Sequence, residues 1–211
     1  MKKLIKIILT LALVFGCAAD KVTYRQSTNY NYLDFGSYQL GIDKSFEFIG
    51  DIDAKGTVDT VEGVIQGRLK TDTYVFADVS QGKKNIRRAI GVRVYTLRDT
   101  TYWRGEANFD HYKSNENIQV LHKGMTKLND TSVAYVVYIT KGINPKVLKM
   151  AAGKGYKPAS ELKQGIDVTF GKVIGRSRLI HIEYLESCDE SQPNAFDYMN
   201  KAKQLITIEK R

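Results

Sequence analysis

The three histidines, His111, His122 and His181, are the first residues to weigh for acid–base or metal chemistry, and the sequence keeps them far apart. None belongs to a His-x-x-x-His or Cys-x-x-Cys spacing, so a zinc centre has no ligand set to draw on and no cofactor is implied. Two of them do have a carboxylate close by. Asp110 and His111 are adjacent, and His181 and Glu183 lie two apart, which on a strand puts both side chains on one face. Either pair would set an imidazole beside a carboxylate, as a general base needs. Neighbouring polar residues on the solvated face of a sheet have the same signature and arise more readily by chance. No Gly-x-Ser-x-Gly elbow supplies a hydrolase nucleophile.

Glycine and lysine invite a phosphate or anion reading. Ala152-Gly153-Lys154-Gly155 follows a helix candidate, whereas a phosphate loop precedes its helix, so Gly153 is expected to be a C-cap residue. Between Lys141 and Lys163 there are six lysines against the single acid Glu161. Lys146, Lys149 and Lys154 are the candidate anion-binding residues of this stretch. Each basic residue near an anionic surface contributes about 1 kcal/mol. A solvated lysine face is the commoner origin of such a run. Lys83, Lys84, Arg87 and Arg88 crowd a second basic spot at a predicted hairpin. The chain carries a formal charge of +9, three units of which reside in Lys2, Lys3 and Lys6.

Those three lysines open a different kind of motif. Residues 1 to 16, MKKLIKIILTLALVFG, run from a cationic start through an apolar stretch from Ile7 to Phe15 to a small residue, the pattern of a secretory signal. The stretch is well short of the roughly 20 apolar residues of a spanning helix. Leu13-Val14-Phe15-Gly16-Cys17 resembles the lipobox of bacterial lipoproteins. That resemblance implies diacylglycerol on the Cys17 thiol, cleavage between Gly16 and Cys17, and acylation of the new amine. Two or three chains then hold the protein stably at the membrane. Ala18 stands where aspartate would resemble an inner-membrane retention signal, so the resemblance favours the periplasmic face of the outer membrane in a host that has one. With Cys17 acylated, Cys188 is left without a disulfide partner in the chain and is expected to be a small buried residue.

The elements that must position these residues follow from periodicity. Ala18 to about Asp34 is polar and rich in Asn, Gln, Ser and Tyr, and reads as a flexible tether. Strands are expected at Ser45 to Asp53, Thr73 to Val79, Ile90 to Leu97, Val133 to Thr140, Ile166 to Val173 and Leu179 to Leu185, where apolar and polar residues alternate. Gln81 to Asn85, Asn129-Asp130 and Gly175-Arg176-Ser177 supply turns at hairpin distance, implying antiparallel neighbours. Helices are expected from Pro145 to Ala152 and from about Pro193 to Leu205, with a short turn of helix at Pro158 to Lys163. In the second helix Ala195, Met199, Ala202 and Ile206 form one apolar stripe.

Taken together, the sequence predicts a signal over residues 1–16, a lipidated tether over 17–34 and a single α+β domain over 35–211. That domain would hold a largely antiparallel sheet of six or seven strands with two or three packed helices. In element order it resembles a PsbP-like sandwich, a likeness that transfers no functional residue. Two functions are compatible. One is a non-enzymatic accessory or binding lipoprotein, anchored through Cys17, that engages a protein or an anionic lipid, glycolipid or other envelope component. The other is an envelope hydrolase built on one of the two histidine–carboxylate pairs. Export disfavours nucleic acid as a partner, and Tyr102-Trp103-Arg104 is too short for a stacking platform.

Overall fold

A computed structural model describes residues 22–58, 67–79, 86–97, 103, 105–141, 149, 151–157 and 164–211. The six predicted strands are all present. They form β4 (Phe46–Val58), β5 (Gly67–Asp78), β6 (Arg88–Leu97), β8 (Thr131–Thr140), β9 (Gly165–Ile174) and β10 (Arg178–Ser187). Joined by β7 (Ile118–Leu128), they make an antiparallel sheet in the order β4-β5-β6-β10-β9-β8-β7. Both outer strands are irregular: the register shifts between Phe48 and Gly50 in β4 and between Val120 and His122 in β7. The β7–β8 turn places Asn129 at φ 50, and the β9–β10 turn places Gly175 at φ 62, so both hairpins are closed by residues that tolerate the left-handed region.

The α+β expectation is overturned by a second sheet. β1 (Thr23–Gln26), β2 (Tyr30–Asp34), β3 (Tyr38–Asp43) and β11 (Ile206–Lys210) pair antiparallel in the order β1-β2-β3-β11. The protein is therefore mostly β, with eleven strands in two sheets among the described residues. Residues 23–34, expected to be flexible tether, are largely strand. The polar composition hid a real alternation, in which Asn31 and Leu33 of β2 point inward. Asn31 is tolerated in the interior because its amide donates to the Phe46 carbonyl at 2.6 Å and its carbonyl oxygen accepts from the Tyr24 hydroxyl at 2.9 Å.

One core unites the two sheets. Ile90, Val92, Val94, Val137, Val168, Phe170, Ile180 and Ile182 of the large sheet meet Leu33, Leu40, Ile42 and Ile208 of the small one. The final helix, α1 (Ala195–Leu205), starts on Asn194, whose side chain accepts from the Phe196 amide at 3.0 Å. Met199 and Ala202 of the predicted stripe are buried in that core. Ile206, the last member of the stripe, belongs to β11 instead. At φ −130 and ψ 128 it is extended, and the alternating Ile206-Thr207-Ile208 continues as a strand against β3. No described helix is long and apolar enough to cross a membrane.

The other predicted helix is described only from residue 149 and at 151–153, the rest of it lying outside the described residues, as do 158–163 and the turn at 81–85. Its end corrects the expected cap. The Tyr156 amide donates to the Ala151 carbonyl and the Gly155 amide to the Ala152 carbonyl, both at 3.0 Å, with Gly155 at φ +79. This is a Schellman closure with Gly155, not Gly153, in the left-handed position.

Candidate functional site

The large sheet has an outer face, turned away from the small sheet, and it is unusually polar for a surface that is covered. Strand register decides which residues share it. His181 of β10 faces Arg93 of β6, Glu183 faces Thr169 of β9, and Asp167 of β9 faces Tyr138 of β8. Alternation carries all six, with Tyr95, to the same side. On the neighbouring patch of this face Leu69, Leu97, Ala134, Val136 and Leu179 cluster with Trp103, Ala107 and Phe109, so the segment through 105–112 lies over the sheet.

Two features seat that segment. Gly171 of β9 leaves room for it: a Cβ there would stand 3.0 Å from the Phe109 ring and 3.1 Å from Ala107. The Lys123 ammonium, reaching from β7, donates to the carbonyls of Phe109, Asp110 and Tyr112 at 3.4, 3.0 and 3.3 Å. Phe109 then packs edge-on against Tyr112 and tilted against His181, and Tyr112 lies 5.7 Å from the Tyr138 ring.

Beneath this cover lie two carboxylates. Glu183 is bound by Arg93, N–O 2.9 Å. Asp167, 7% exposed, accepts from the Thr169 hydroxyl at 2.7 Å and is hydrogen-bonded by Tyr138. Burial, and then the charge of Glu183, pushes the Asp167 carboxyl up to about 8, the hydrogen bonds and Arg93 only partly opposing them. Burial and the same two carboxylates also raise Tyr112 and Tyr138. Burial disfavours charge on Arg93, but Glu183 together with Tyr95 and Tyr138 outweighs it, so the net shift is upward and the guanidinium is held firmly protonated.

The histidine–carboxylate pairs fare differently from one another. His181 and Glu183 do share a face, as their spacing required, but Glu183 is engaged by Arg93 and His181 is packed between the Tyr95 and Phe109 rings. Asp110 and His111 are both exposed on the covering segment, the His111 ring lying edge-on to Tyr112 at 4.9 Å. His122 accepts or donates to the Tyr135 hydroxyl at 2.8 Å on the opposite face. Among the described residues no group of three His, Cys, Asp or Glu side chains is placed to hold a metal. Cys188 is buried, with the Tyr198 hydroxyl 3.6 Å from its sulfur.

The candidate anion-binding lysines are placed in part. Lys149 and Lys154 are exposed, and Lys146 and Cys17 lie outside the described residues. Lys154 Nζ stands 6.0 Å from the centre of the Phe48 ring, and Phe48 stacks at 4.6 Å on Tyr24 of β1. A separate open groove of about 620 Å³ runs between the β7–β8 turn and β11, lined by Tyr38, Asn129, Thr131, Lys172, Ile208 and Lys210 among others.

The polar cluster was not legible as a site. Arg93, Asp167 and Tyr138 each appear in the sequence as the outward residue of an alternating strand, and only the register of β6, β10, β9 and β8 brings them together. Compared with protein-family models and with curated proteins, the chain matches none.

Proposed function

We propose that this chain is a lipid-anchored protein of the bacterial cell envelope, exported on residues 1–16 and held by acyl chains on Cys17, whose β-rich domain binds an anionic envelope surface. In a host with an outer membrane its place is the periplasmic face of that membrane. The observation that carries the reading is the Leu13-Val14-Phe15-Gly16-Cys17 pattern, taken with the closeness of Cys17 to the folded domain. β1 begins at Thr23, six residues on, and six residues of extended chain reach about 20 Å. Support for a charged contact comes from the stack of Lys154 on Phe48 and Phe48 on Tyr24, which sets the lysine-bearing segment beside the strand by which the chain enters the domain. Electrostatic attraction acts over about 8 Å at physiological ionic strength, so lysines near the entry strand come into range of lipid headgroups when the six-residue link is well short of its full extension.

The test has two arms. Metabolic labelling with a fatty-acid analogue should mark the wild type and not Cys17→Ala; equal label on both refutes the anchor. Changing Lys146, Lys149 and Lys154 to Glu in unlipidated residues 18–211 should abolish binding of that soluble form to vesicles containing anionic lipid at low salt while leaving its Tm unchanged. Equal binding by wild type and triple variant would reduce these lysines to a solvated face.

A further inference from the structure

The cluster on the outer face holds more negative than positive charge, and it sits under a cover. Arg93 is already paired with Glu183, and the second carboxylate, Asp167, lies a strand away and is more deeply buried. An ionised Asp167 would put a second negative charge beneath Tyr112 and Phe109 without a cation of its own. A protonated Asp167 leaves the group neutral overall, with the acid hydrogen-bonded to Thr169 and Tyr138.

We propose that Asp167 is a proton-controlled latch for the segment 105–112: with its proton the segment closes over the sheet, and loss of the proton releases it. The groups that face Asp167 are Tyr138 of β8, Glu183 and His181 of β10, Arg93 and Tyr95 of β6, and Tyr112 of the covering segment. Lys123 of β7 contacts the segment through the carbonyl oxygens of Phe109, Asp110 and Tyr112, which carry no charge and do not titrate. The contacts that would be released are therefore those of Tyr112 and Phe109 with the sheet, and they include the packing around Trp103. The rise of the Asp167 carboxyl to about 8 puts the transition just above neutrality. This latch is independent of the lipid anchor.

The chain has one tryptophan, Trp103, and it is 6% exposed in the same cluster as Phe109, so the molecule carries its own reporter. The experiment is acrylamide quenching of Trp103 in the full chain, in detergent, from pH 6 to pH 9.5. The wild type should show a severalfold rise in quenching with a midpoint near 8, and Asp167→Asn should stay at the low value throughout. A second variant guards against misfolding of the first. Because the charge of Glu183 helps hold the proton on Asp167 and occupies Arg93, Glu183→Gln leaves Arg93 to offset an ionised Asp167 and should give a smaller rise in quenching than the wild type. A wild-type protein whose quenching does not change with pH overturns the latch. So does the same transition in Asp167→Asn, or an undiminished rise in Glu183→Gln.

Discussion

Replacing Lys123 with methionine removes the ammonium and keeps a stem of similar length, so the substitution isolates what the three carbonyl contacts do. A hydrogen bond to a charged donor is worth about 1.5–3 kcal/mol where water is excluded. Here two of the three contacts are long, at 3.3 and 3.4 Å, and Lys123 is exposed, so water competes for its protons. The whole clamp then comes to about 1 kcal/mol, close to that of an exposed ion pair. That energy acts on the opening of the segment 105–112 and not on the sheet beneath it, because β7 keeps its full pairing with β8. About 1 kcal/mol is roughly a fivefold change in an opening equilibrium. The amide to watch is that of Tyr112, which donates to the Phe109 carbonyl at 3.0 Å within the segment. Hydrogen exchange of Tyr112 should quicken about fivefold in Lys123→Met, amides of β8 and β9 should keep their protection, and Tm should hardly move. Unchanged exchange at Tyr112 would show that the clamp does not hold the segment. Equal quickening in β8 and β9 would show that segment and sheet open together, contrary to the argument.

Met199→Asp sets an unpaired charge in the shared core of the two sheets and should lower stability by several kcal/mol, read as a fall in Tm; an unmoved Tm would mean α1 does not dock there. Gly155→Ala meets no atom within 4 Å, so its effect is the backbone strain at φ +79 alone, about 1 kcal/mol, and chemical denaturation should show a matching loss with the slope unchanged.

Where the strands are strongly alternating and half-buried, the sequence was readable: Val133, Tyr135 and Val137 of β8, or Ile90, Val92 and Val94 of β6, declare their inner face outright. It failed where polarity and burial part company. Asn31 is inside because two hydrogen bonds satisfy its amide, a fact of tertiary structure that composition cannot carry. β7 failed in the opposite sense, since an outer strand in which only Leu128 is fully buried has no clear apolar period to find. The helical stripe was right for Met199 and Ala202, and the helix ends at Leu205 as expected, but Ile206, one residue past it, is strand, where β-branched residues and pairing with β3 take over. The outer-face cluster shows the same limit at the level of chemistry. His181 and Glu183 could be put on one face from their spacing, but Arg93, the partner that occupies Glu183, is 90 residues away and arrives through strand pairing.

The irregular outer strands of the large sheet bear on how many molecules can share a small area. A sheet with straight edges is an invitation to polymerise, because each free edge offers a continuous ladder to the next copy. β4 and β7 each break that ladder within the strand, and β7 adds Lys123 and Lys127 along its length. An incoming strand can match only part of either edge before register is lost. Both ends of the large sheet thus resist the strand-by-strand addition of a second copy.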